Sequence, residues 1–164
     1  MMQNKIELIK EIYKIDDNTE KKQEALEKIK PYVNDIMDRF YEKLLQKDEF
    51  AVFIPLDRIE ELKQKQIKFV ASLLSEPFDT DLYNKIAKVA IVHYHIKLDP
   101  LYMAYGYHIL SELILEKSKQ DMTLLPYLKL IIKYLKVSEA IMSEEYFAQQ
   151  ILAESPYKKV TEKQ

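Results

Sequence analysis

The sequence predicts an all-α domain. A single glycine in 164 residues, six prolines that fall between apolar-periodic segments, and 48% apolar residues recurring with a 3.6-residue period all point that way. A sheet would need more turn glycine than one residue supplies. The length fits one domain, large enough to bury about two-thirds of its unfolded surface around one core.

Residues 5–15 carry Ile6, Leu8, Ile9, Ile12 and Tyr13 as a one-sided stripe, a short leading helix. The cluster Asp16-Asp17-Asn18-Thr19 ends it and caps the next segment. Residues 20–30 place Ala25, Leu26 and Ile29 together and run into Pro31, which suits the first turn of a new helix with Val33, Ile36, Met37, Phe40 and Leu44 on its buried face. Residues 48–54 read as a connector. From Pro55 a stripe resumes through Ile59, Leu62, Phe69, Val70, Leu73 and Leu74, and Glu76-Pro77 stops it. Asp79-Thr80-Asp81 caps a helix on which Leu82, Ile86, Val89, Ala90 and His93 share a face. Asp99-Pro100, a capping residue followed by proline at the first helical position, opens a helix to about Lys119. The last helix runs from near Thr123 to about Ala153. The expected organisation is one domain over residues 1–154, with seven to eight helices, and a polar, frayed tail over 155–164.

Composition removes many function classes. The dinucleotide fingerprint, the phosphate loops and the G-x-S-x-G elbow each need at least two glycines. The absence of cysteine excludes thiolate zinc sites, iron–sulfur clusters, disulfides, covalent c-type haem and a cysteine nucleophile. Twenty-five basic and 27 acidic residues are interspersed, with no basic stripe, so nucleic acid is not an expected partner. The longest uncharged stretch is the 12 residues 100–111, too short to span a bilayer, and the N-terminus lacks a secretory apolar region. The expectation is a cytoplasmic protein whose metal ligands, if any, are His, carboxylate or Tyr.

The three histidines, His93, His95 and His108, are the first candidates. On a helix His93 and His95 point about 200° apart and cannot hold one ion together. No H-E-x-x-H, and no Glu three residues before a His, is present, which disfavours a di-iron bundle. His93 alone lies on a strongly apolar face, beside Ile86, Val89 and Ala90. Two roles are open to it: a hydrogen-bonded core residue, or the single axial imidazole that a b-type haem in an apolar slot requires.

The run Val92-His93-Tyr94-His95-Ile96-Lys97-Leu98-Asp99-Pro100-Leu101-Tyr102 resembles the proximal signature V-H-x-R-I-G-L-x-P-x-W of the globin-coupled sensor family. Ile36-Met37-Asp38-Arg39-Phe40-Tyr41-Glu42-Lys43-Leu44-Leu45 is similar to that family's distal helix with its Phe-Tyr pair, and 52 positions separate Tyr41 from His93. Between them Arg58-Ile59-Glu60-Glu61-Leu62-Lys63, Leu73-Leu74 and Leu82-Tyr83 follow in the family's order. The resemblance covers about residues 15–150.

It implies a sensor-type globin fold with an extra N-terminal helix, haem b as cofactor, His93 as proximal iron ligand and Tyr41 over the opposite face, where its hydroxyl can donate to bound O2 and discriminate it from CO. Leu62 and Phe69 would line the distal wall and Phe53 would pack a haem edge; each serves equally as a plain core residue. Val89, Val92, Ile96 and Tyr102 complete the expected cofactor contacts. The chain departs from the pattern at His95 for Arg, Lys97 for the Gly of the turn after the proximal helix, and Tyr102 for Trp. His95 alters a group that could neutralise a haem propionate or simply face solvent.

The implied function is reversible binding of O2 or another diatomic gas for sensing, without catalytic turnover. Dimerisation is expected through residues 100–118 and 123–153. The signal would pass to a partner or to a C-terminal output domain beyond this chain. The alternative is a haem-free globin-fold regulatory module acting through helical dimerisation. A haem enzyme with peroxidase-like or NO-consuming activity is a third option that lacks an evident acid–base pair. The lone glycine, Gly106, falls just after the proximal turn, where a missing side chain would ease close helix contact.

Overall fold

The computed structural model describes residues 2–155, and all but Ser155 of the expected C-terminal tail lies outside them. The described residues form seven α-helices and no strand: α1 Met2–Tyr13, α2 Glu20–Leu45, α3 Asp48–Ala51, α4 Ile59–Leu73, α5 Thr80–His95, α6 Pro100–Gln120 and α7 Leu125–Glu154. Short 3₁₀ turns at Leu56–Arg58 and Met122–Leu124 lead into α4 and α7.

The anticipated caps bracket the helices that matter most for the site. Asp79 accepts from the Leu82 amide at 3.0 Å and Asp99 from the Leu101 amide at 2.8 Å, with Pro100 at the start of α6. Ahead of α2 the work is shared differently. Thr19 makes no side-chain cap; Asp16 accepts from the Asn18 amide and Asn18 from the Glu20 amide.

Three expectations about where helices begin and which faces they bury are corrected. Pro31 does not begin a helix but lies inside α2. Its missing N–H removes one ladder bond, yet Pro31 and Glu27, whose carbonyl loses that bond, are both exposed to water. The buried stripe Ala25, Ile29, Val33, Ile36, Phe40 and Leu44 continues through it and holds the helix together. Residues 48–54 are not a plain connector, because α3 occupies their first half. In α1 the stripe is narrower than expected. Ile6 is buried and Ile9 and Tyr13 are half-buried, at i, i+3 and i+7, whereas Leu8 and Ile12 fall on the far side and are exposed.

α2 runs through the middle of the molecule and packs on α4, α6 and α7, while α5 lies along α7 and α1 covers the outer side of α5 and α7. Leu82 and Ile86 of α5 are fully buried, as are Leu113 of α6 and Ile141 of α7. Each such side chain contributes about 1.5–3 kcal/mol of burial free energy. Gly106 does not mark a forced close approach: a Cβ built there would meet Phe40 Cζ at 3.7 Å, ordinary van der Waals distance.

Candidate functional site

Between α2, α4, α5 and α6 the core opens into a cavity of about 450 Å³, within the range that holds cofactors and small ligands. All nine site residues expected from the sequence line it: Tyr41 from α2, Phe53 from the segment after α3, Leu62 and Phe69 from α4, Val89, Val92 and His93 from α5, Ile96 just beyond it, and Tyr102 from α6.

α5 presents His93 through its two ends. The Asp79 cap fixes its start, and Leu82, Ile86 and Ala90 bury one face, which turns Val89 and His93 into the cavity. At the other end the Leu98 amide donates to the His93 carbonyl at 3.1 Å and the Lys97 amide to the Tyr94 carbonyl at 2.9 Å. This is a Schellman closure, which needs a left-handed residue in the position Lys97 occupies, and Lys97 has φ of 62°. The turn keeps the geometry that glycine would adopt, with a lysine holding it.

Within the helix the His93 Nδ1–H donates to the Val89 carbonyl at 2.9 Å. A carbonyl can only accept, so Nδ1 carries the proton and the Nε2 lone pair is left without a side-chain partner among the described residues. Burial holds the ring's pKa below the ordinary histidine value, partly offset by that hydrogen bond, which keeps it neutral. A neutral imidazole with its second nitrogen free is the form that ligates metals.

Tyr41 is buried, with Phe40 packed edge-on at 5.2 Å between ring centres. Its hydroxyl has no hydrogen-bond partner among the described residues. Burial pushes the phenol up to about 12, slightly opposed by Lys63, so it stays protonated as a donor. The opposite condition holds for Tyr107, whose hydroxyl bonds Ser138 Oγ at 2.6 Å and Met142 Sδ at 3.3 Å. Val92 and Ile96, 55% and 45% exposed, form an apolar wall that the protein covers only in part.

His95 and His108 stand apart from the cavity. Both are exposed; His95 sits at the last position of α5 and His108 stacks beside Tyr105. Sequence reasoning missed Leu110, Leu135 and Met142, which close the cavity from α6 and α7, and also Arg58, Lys65 and Gln66. The last three had a signal: Arg58, Leu62, Lys65, Gln66 and Phe69 recur at helical spacing along one face of α4 and its lead-in turn.

The sequence profile of the protoglobin family matches residues 3–151. The chain belongs to the protoglobin family. Among solved structures, this protoglobin is similar to the globin domain of the Geobacter sulfurreducens globin-coupled sensor, with a TM-score of 0.73 at 21% identity, over 85% of this chain and 96% of that one. No curated protein matches the chain. The globin fold and the resemblance to sensor globins are thus borne out. No described helix is long and apolar enough to cross a membrane.

Proposed function

We propose that this protoglobin binds b-type haem in the cavity, with His93 as the axial ligand, and reversibly binds O2 or another diatomic gas as a sensor. The observation that carries this reading is the pairing of two unused groups in one apolar cavity: a neutral imidazole whose Nδ1 is already committed to Val89, and the unpartnered phenol of Tyr41. An exposed apolar wall at Val92 and Ile96 also fits a flat apolar group lying against it.

When bound, haem would supply an iron able to bind a small gas. The protein's own contributions are separate. His93 would hold the iron through its second ring nitrogen, and the Val89 carbonyl fixes the ring's tautomer and would raise its basicity. Tyr41 would donate to a ligand atom bearing partial negative charge, which would favour O2 over the less polar CO. Leu62, Phe69 and Val89 exclude water, and Phe53 and Tyr102 offer aromatic edges.

We also assign dimerisation to α6 and α7, over residues 100–118 and 123–153, where Leu115, Phe147, Ile151 and Leu152 are exposed. Absorption spectra of the reconstituted ferric, ferrous and CO forms test the central claim. A Soret band that shifts with CO is expected; reconstitution that leaves no Soret band would discard the haem reading in favour of a haem-free helical module.

A further inference from the structure

The cavity wall is apolar with two exceptions in charge. Arg58 and Lys65 both line it, and among the described residues no carboxylate does. The two cations lie on one side, on the turn before α4 and on α4 itself, in line with Leu62 and Phe69 deeper in the wall. Both are engaged by a single carboxylate just outside the cavity. Glu61 Oε2 accepts from Arg58 Nε at 3.1 Å, and Glu61 Oε1 accepts from Arg58 Nη2 at 3.2 Å and lies 3.2 Å from Lys65 Nζ. One carboxylate thus holds both cations where the cavity meets solvent, while Asp57 acts on Arg58 through space only.

The end of α5 offers no equivalent. His95, which stands where the sensor-globin pattern has Arg, is exposed and does not line the cavity. Cationic anchoring is concentrated on the α4 side.

We infer that Arg58 and Lys65 receive the carboxylate edge of a dianionic, planar, otherwise apolar ligand and so fix which way round it lies, with Glu61 as the counter-ion that yields to it. The inference rests on the haem reading and adds an orientation to it. Arg58 suits one carboxylate through its planar fork and Lys65 the other as a point charge. Glu61 holds both side chains near the mouth of the cavity and competes for them when a carboxylate arrives. Specificity then comes from charge at the rim, while the apolar wall supplies most of the affinity.

The test uses metal-free porphyrins, whose binding does not involve His93. Apo-protein is titrated with deuteroporphyrin IX and with its dimethyl ester, followed by porphyrin fluorescence, in the wild type, in the Arg58→Gln/Lys65→Gln double variant and in Glu61→Gln. The wild type should prefer the diacid by roughly 3–30-fold, the range expected for two partly exposed charged contacts. The double variant should lose that preference with ester affinity unchanged, and Glu61→Gln should tighten the diacid alone. Equal preference in the wild type and the double variant, with both porphyrins bound, would overturn the inference and leave the haem reading intact. Failure of either porphyrin to bind, together with no Soret band on haem addition, would overturn both.

Discussion

The Nδ1 of His93 lies 2.9 Å from the carbonyl oxygen of Val89, one turn back on the same helix. That contact spends the ring's only proton on the backbone and leaves the other nitrogen as a lone pair on the cavity side. His93→Ala should therefore abolish stable haem incorporation, whereas His95→Ala and His108→Ala should retain it, since both of those rings are exposed away from the cavity. The Soret absorbance per protein after reconstitution and desalting reads the result. Stoichiometric haem in the His93 variant would refute the ligand assignment.

Tyr41→Phe separates a ligand-directed hydroxyl from a structural one. The hydroxyl bonds nothing within the described protein, so the unfolding free energy of the apo chain should change by no more than about 0.5 kcal/mol. In the haem-loaded protein O2 dissociation should speed up roughly 10–150-fold, the loss of a hydrogen bond of about 1.5–3 kcal/mol to a charged acceptor. Stopped-flow measurement of the off-rate decides; an unchanged rate would move stabilisation to another donor.

Lys97 occupies a left-handed conformation that disfavours any side chain with a Cβ by about 1–2 kcal/mol. Glycine would relieve that strain but loosen the unfolded chain, offsetting about 0.4–1 kcal/mol. Lys97→Gly should stabilise the protein by about 0.5–1 kcal/mol on balance, and Lys97→Ala should be neutral because it keeps the Cβ. Urea melts distinguish the two. An Ala variant as stable as the Gly variant would assign the effect to charge instead of backbone.

Lys22 is 2% exposed, donates to the Glu76 carbonyl and sits 4.1 Å from the centre of the Tyr134 ring. Burial lowers its pKa from 10.5 to about 8, against the opposing pull of Glu76 and Asp79. Between those two values the unfolded chain holds the proton that the folded chain has released, so this residue's contribution to stability rises as pH increases from about 8 towards 10.5. The slope is at most about 1.4 kcal/mol per pH unit. The stability difference between the wild type and Lys22→Met, measured across that window, should climb with pH; a flat difference would mean the ammonium keeps its proton when buried.

Much of the site was legible in the sequence because the cavity is built from helix faces. Leu62 and Phe69 are seven residues apart, Val89 and His93 four, and those spacings alone bring each pair to one side of its helix. Pro31 misled because a proline reads locally as a boundary, while the buried stripe on either side of it is what fixes the helix. Leu110, Leu135 and Met142 were not legible, since α6 and α7 are apolar around most of their circumference and periodicity cannot say which end of a long face meets the cavity. Arg58 and Lys65 share the helical face of Leu62 and Phe69, but spacing alone does not say that the cavity extends to them. Only the packing of α4 on α2 sets how far round that helix the cavity reaches.

The Tyr146 hydroxyl donates to the Leu98 carbonyl at 3.0 Å, and Leu98 is in turn bound through its amide to the carbonyl of His93. Two hydrogen bonds and one residue thus connect the imidazole's own backbone to α7, and the next residue along α7 is Phe147, whose ring lies open to solvent. Leu98 thus ties the backbone at the end of the His93 helix to the outer helix of the molecule, one residue from a ring that faces solvent.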